Sequence, residues 1–158
     1  MTHRNIFQTF AFALLLMPAM ITIAHAEDDY DQEYRASATN ATWQAECGAC
    51  HIAYPPRLLP AESWRALMAG LDKHFGSDAG LDAPAAREIT AFLVKNAGGR
   101  GRDASAKLRI TETRWFRHEH DEVSDRVWKI VKRPANCQAC HTQAERGNFS
   151  EHDIKMPR

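Results

Sequence analysis

Two short stretches decide the reading of this 158-residue chain: residues 47–51, "CGACH", and residues 137–141, "CQACH". Between them they hold all four cysteines of the sequence. In each, two thiols are separated by two residues and followed directly by a histidine. That pattern reads as covalent attachment of a c-type haem. Two thiols add to the two vinyl groups of a porphyrin, and the two intervening residues let both reach one edge. The next imidazole then meets the iron. Cys47 and Cys50 would hold the first haem, with His51 as proximal ligand; Cys137 and Cys140 would hold the second, with His141. Other chemistries use less of the pattern. Two disulfides suit an oxidising compartment and four cysteines suit zinc, but neither needs a histidine after each pair. A thioredoxin-like redox pair expects a βαβ setting, which the sequence does not offer. Two covalently bound haem c groups are therefore expected.

The N-terminus is made of different material. Arg4 is the only charged residue before Glu27, and residues 6–24 read "IFQTFAFALLLMPAMITIA", followed by His25 and Ala26. A basic start, an apolar run and a small-x-small ending describe a secretory signal peptide. The run is almost long enough for an uncleaved anchor, but Pro18 and the Ala24-His25-Ala26 ending favour cleavage after Ala26. A bacterial exporter would deliver the product to the periplasm, with no stable membrane insertion after cleavage. Residues 27–40, "EDDYDQEYRASATN", have no apolar period and read as a flexible acidic leader. From Glu27 onward the chain keeps 19 Lys+Arg and 20 Asp+Glu, a net charge of −1. That balance gives no electrostatic case for a nucleic-acid partner. A chain of this length has a small core, which a large apolar ligand would help to complete.

Outward from the motifs, two haem units are expected, 41–99 and 100–158. Residues 43–54, "WQAECGACHIAY", would form a short helix carrying the first attachment site. The "PPRLLP" of residues 55–60 predicts extended chain, because proline fixes φ and restricts its predecessor. One of its carbonyls would accept the Nδ1–H of His51 and orient the ring. An amphipathic helix is predicted from Ala61 to about Phe75, with Trp64, Leu67, Met68, Leu71 and His74 on one face. A second should start at an Asp82 cap, with Pro84 in its first turn, and stop at Gly98 and Gly99. Residues 98–107, "GGRGRDASAK", read as a linker. "LRITE" at 108–112 reads as extended, and one helix is predicted from about Trp115 to Val131. Residues 142–158 read as an irregular tail. No set of alternating strands is present, so the fold class is mainly α.

What fills the sixth position of each iron separates a carrier from a catalyst or sensor. From Glu27 onward the unassigned candidates are His74, His118, His120 and His152, with Met68 and Met156. His74 lies on the apolar stripe near the end of its helix, and an ionisable group on such a face needs a partner. Met68 shares that face and reads as core packing. In "WFRHEHDE", residues 115–122, helical spacing puts His120 on a stripe with Phe116, Val123, Val127 and Val131. His118 falls with Arg114, Glu122 and Asp125 instead. His74 is accordingly expected as distal ligand of the first haem and His120 of the second. Spacing leaves open a crossed arrangement and the weaker alternatives His118, His152, Met68 and Met156.

The sequence resembles the small bacterial dihaem cytochromes c. The resemblance is carried by "CGACHIAYPPRLLPAESWRALMAGLDKHFGSDAGLD" (47–82), "ITETRWFRHEHDEV" (110–123) and "CQACHTQAERGNFSEHDIKMP" (137–157). It implies two bis-histidine low-spin haems, with His74 and His120 at the positions the pattern suggests for distal ligands. It also implies a first unit like class I cytochrome c and a smaller, less regular second unit. The expected role is electron transfer between redox partners, not enzymatic. The partners implied are a small oxygen-binding monohaem cytochrome and a membrane b-type cytochrome. A dihaem peroxidase or reductase, or a gas-sensing haem protein, would instead need one labile distal ligand. The histidine count is sufficient to close both irons. Residues 99–133 hold ten Lys+Arg against six Asp+Glu, a surplus that suits haem propionates, an acidic partner or plain solvated surface.

Overall fold

The computed structural model describes residues 38–98 and 107–158. The expected signal peptide, most of the acidic leader and most of the glycine-rich linker lie outside the described residues. Within them the chain forms five α-helices joined by short 3-10 turns, with no strand. These are α1 (Ala41–Gly48), α2 (Ala61–Ala69), α3 (Ala83–Lys95), α4 (Arg114–Glu119) and α5 (Asp125–Val131). The mainly α class read from the sequence is the class the described residues form.

Caps set the helix starts. The Asn40 side chain accepts from Trp43 N–H at 2.7 Å, and that of Asp82 from Ala85 N–H at 2.7 Å, each satisfying a donor the first helical turn leaves unpaired. Pro84, in the first turn of α3, has no donor to lose there. Thr113 caps α4 by accepting from Phe116 N–H at 3.1 Å. The apolar faces of α1, α2 and α3 then meet. Trp43, Leu59, Trp64, Leu67, Ile89 and Leu93 form one buried cluster, with Met68 and Phe92 packed against its edge. Trp43 and Phe92 meet ring to ring at 5.2 Å.

Residues 55–60 do not run extended as expected. Pro56–Leu58 form a 3-10 turn whose backbone is held from two sides. Trp64 Nε1–H donates to the Pro56 carbonyl at 2.6 Å, and Gly98 N–H donates to the Leu59 carbonyl at 3.1 Å. A Cβ on Gly98 would run into the Arg57 carbonyl, so glycine there permits close approach; the helix itself ends earlier than expected, at Lys95 with Asn96 as its cap. The two prolines fix φ but do not choose between extended chain and a tight turn, and the tertiary contacts choose the turn.

Two predicted helices are shorter than their apolar stripes. The first ends at Ala69, where Gly70 caps it, and a 3-10 turn over Leu71–Lys73 carries the chain to His74. Phe75 and Gly76 then take positive φ values, 50° and 98°, and the chain reverses immediately past His74. The Trp115–Val131 helix is two helices, α4 and α5, separated by residues 120–124. His120 caps α4, and Ser124 stands at the start of α5. The predicted extended piece at 108–112 is a 3-10 turn over Ile110–Glu112.

The second half buries less. Among the described residues its buried apolar side chains are Phe116, Val131 and Ala144. The tail folds back instead of trailing: Lys155 N–H donates to the Cys140 carbonyl at 3.0 Å, and Ile154 bridges to His141. Because the larger core stands in the first half, stability is expected to respond most sharply there. Ile89 has 0% exposure, so Ile89→Ala is expected to lower the unfolding free energy of the haem-loaded protein by about 2–5 kcal/mol in guanidinium titrations. A loss well under 1 kcal/mol would contradict the packing described.

Candidate haem sites

Four histidines come together as two pairs. The rings of His51 and His74 lie 6.1 Å apart, centroid to centroid, with planes inclined by 25°. Those of His120 and His141 lie 6.2 Å apart and are inclined by 70°. The pairs are uncrossed: each distal candidate faces the motif histidine of its own half. His118, by contrast, is 80% exposed in its side chain and lies 3.8 Å from the Asp121 carboxylate. Among the described residues, no third His, Cys, Asp or Glu joins either pair to make a conventional metal cluster.

Local structure explains the first pair. Cys47 lies in the last turn of α1, while Cys50 and His51 follow the helix. The expected short helix therefore carries only the first cysteine. His51 Nδ1–H donates to the carbonyl of its neighbour Ile52 at 2.7 Å, not to a carbonyl of residues 55–60 as expected. A carbonyl only accepts, so Nδ1 bears the proton and Nε2 keeps a lone pair free for a metal. Tyr54 stacks on His51 at 4.9 Å. On the other side, the turn past His74 puts Phe75 4.8 Å from that ring. The Arg109 guanidinium lies over Phe75 at 3.9 Å and holds it in a backbone conformation an aromatic residue rarely adopts. Burial pushes the His74 pKa down, and the neighbouring His51 and Arg109 charges push it further the same way. Each of these favours the neutral imidazole, the form that binds metal.

The second pair is built differently. His120 Nδ1–H donates at 2.8 Å to the Phe116 carbonyl, one of the groups the end of α4 leaves unpaired. The Phe116 ring stacks on His120 at 4.1 Å, and Trp128 of α5 lies 6.1 Å away. The break between α4 and α5 thus produces both the hydrogen bond and the aromatic backing. His141 follows a 3-10 turn over Cys137–Ala139 and contacts Phe149 at 5.3 Å. Burial, then the His120 charge, lowers its pKa. Its buried Nδ1 has no hydrogen-bond partner among the described residues.

These residues fit a haem on several counts. A metal–imidazole bond of ~2 Å on each side, plus the radius of each ring, puts two axial rings ~6 Å apart, and both pairs have that spacing. Two protein ligands per site leave the remaining positions around the metal to a macrocycle. Cys47, Cys50, Cys137 and Cys140 stand unpaired, two beside each histidine pair. Burial raises the Cys47 and Cys137 thiols to about 11. Apolar side chains lie exposed beside the sites, Phe75 next to His74 and Ile154 bridged to His141, where a porphyrin face would cover them.

The sequence did not reveal the aromatic residues around the rings. Tyr54, Phe75, Phe116 and Phe149 read as ordinary apolar positions, although Phe116 at i−4 from His120 was a usable signal. Tyr54 also reaches the other half of the molecule, donating to the Ala135 carbonyl at 3.2 Å. Burial and the nearby Cys137 sulfur push its phenol up to about 12.

Comparison with known proteins agrees with this geometry. The family model described as dihaem cytochrome c matches residues 43–149. A solved dihaem cytochrome c from Rhodobacter sphaeroides is 46% identical, with a TM-score of 0.67, over 72% of this chain and 98% of its own. A dihaem cytochrome c from Shewanella baltica is 40% identical, with a TM-score of 0.64, over 75% of this chain and 93% of its own. No curated protein matches the chain. Paired C-x-x-C-H motifs, paired imidazoles and a match across most of the sequence lead to one conclusion: the chain belongs to the dihaem cytochrome c family and carries two covalently bound haem c groups.

Proposed function

We propose that this protein is a periplasmic electron carrier whose two haems are each closed by two histidines. His51 and His74 are the axial ligands in the first unit, 41–99, which is built like class I cytochrome c. His141 and His120 are the axial ligands in the second unit, 100–158. The observation that carries the reading is the pair of ring separations, 6.1 and 6.2 Å. Family membership supports electron transfer in general, and the pairing of all four rings favours a carrier over a catalyst.

Bound haem supplies one-electron chemistry at iron. The chain's own part is to keep both axial positions filled, so that electrons pass and substrates and gases do not bind. The Ile52 and Phe116 carbonyls fix the tautomers of His51 and His120. Phe75 and Phe116 back the distal rings and limit their rotation. Two imidazoles, with no thioether, hold the potential below that of a His/Met site. Residues 1–26 direct export, and no helix among the described residues is long and apolar enough to cross a membrane. The partners proposed are a small monohaem cytochrome and a membrane b-type cytochrome, met through transient contacts at the haem edges.

Carbon monoxide added to the reduced protein is expected to leave its spectrum unchanged. His74→Ala and His120→Ala are each expected to open one iron, so that about half of the haem binds the gas in each variant. Rapid binding by the unaltered protein would favour a peroxidase, reductase or sensor with a labile ligand. N-terminal sequencing of the periplasmic protein is expected to begin at Glu27; a membrane-bound product retaining residues 1–26 would overturn the export assignment.

A further inference from the structure

The two haem units touch at several places among the described residues: Arg109 lies over Phe75, Ile110 packs against the first core, and residues 54–57 reach toward the second motif. Arg57 reaches the Gly147 carbonyl at 3.5 Å, six residues past the second motif. Tyr54 also crosses between the halves, and both of its ends meet haem-bearing elements. Its ring stacks on His51 at 4.9 Å, and its hydroxyl donates to the Ala135 carbonyl at 3.2 Å. The same oxygen lies 3.6 Å from Cys137 Sγ, the sulfur that forms a thioether to the second haem. One side chain therefore spans from an axial ligand of the first haem to the covalent edge of the second.

We propose that Tyr54 is the bridging residue through which electrons pass between the two haems. The route runs from the His51 ring to the phenol ring, across the hydrogen bond to Ala135, and on to Cys137. The step moves one electron from a ferrous iron, which becomes ferric, to a ferric iron, which becomes ferrous. No bond forms or breaks, no proton leaves, and Tyr54 is neither oxidised nor reduced. The electron enters the molecule from any external one-electron donor. The inference rests on the carrier reading with His51 as an axial ligand. Coupling through packed rings and hydrogen bonds depends on each contact in the series. Tyr54 supplies two such contacts at once, whereas the Arg57 contact ends on a loop that carries neither ligand nor thioether.

The test compares the full-length, dihaem protein with its Tyr54→Phe and Tyr54→Leu variants. In half-reduced samples, one electron is shared by two haems, and NMR exchange between haem methyl signals gives the intramolecular rate. Tyr54→Phe keeps the stack and loses the hydrogen bond; exchange is expected to slow several-fold. Tyr54→Leu loses both contacts and is expected to slow it further than Tyr54→Phe does. Wild-type exchange in Tyr54→Leu, with two haems still attached, would overturn the proposal. If Tyr54→Leu fails to accumulate, Tyr54→Phe decides alone, and an unchanged rate overturns the hydrogen-bonded route. Carbon monoxide addition to the same samples reads the axial state separately. Gas binding by the wild-type protein would count against the closed irons, while slowed exchange in the variants would still support the bridge.

Discussion

An iron between two imidazoles accepts very little error. The rings must stand ~6 Å apart, each with a lone pair directed inward and its other nitrogen occupied or buried. In this chain the two histidines of a pair are 23 residues apart in the first half and 21 in the second. Neither pair is set by local geometry alone. The separations of 6.1 and 6.2 Å are results of tertiary structure, and most of the scaffold can be understood as what holds them.

The two halves reach the same spacing by unequal means. The first has a buried cluster drawn from α1, α2, α3 and the Leu59 turn, with Cys47 and Tyr54 packed against it. Among the described residues, the second buries only Phe116, Val131 and Ala144 of its large and small apolar side chains, and relies on short turns and a folded-back tail. Conformational entropy weighs on every ordered residue, so a half with so little buried area depends more on its haem. Thioether links make that ligand permanent, and a permanent ligand shifts the folding equilibrium without any dependence on free haem concentration. The contacts of Tyr54 and Arg57 also tie the weaker half to the stronger.

Much of this was legible in the residues. The motifs singled out His51, His141 and the four cysteines by chemistry alone, and the structure brings each of those histidines beside a second imidazole. The i, i+3, i+4 stripe of α2 and the Asp82-x-Pro84 start of α3 located the core. His120 was separated from His118 by a helical stripe, although the continuous helix behind that argument does not exist. The stripe still pointed inward because His120 closes α4 with its side chain on the same face as Phe116. Helix ends were poorly legible for a stated reason. Gly70 and residues 120–124 stop their helices at places where the apolar period continues, and the turns that follow bring His74 and His120 to face His51 and His141. The Phe75 conformation, held by Arg109 from beyond the linker, depends on a contact no local pattern contains. The same holds for the bond from Tyr54 to Ala135, 81 residues away.

The central claim is that each iron is held axially by nitrogen on both sides. X-ray absorption at the iron edge, on the oxidised dihaem protein, tests it most directly. The account predicts a first shell of nitrogen alone, with six per iron averaged over both sites and no sulfur scatterer. A sulfur contribution, as Met68 or Met156 would give, or an average below six nitrogens per iron, would contradict it.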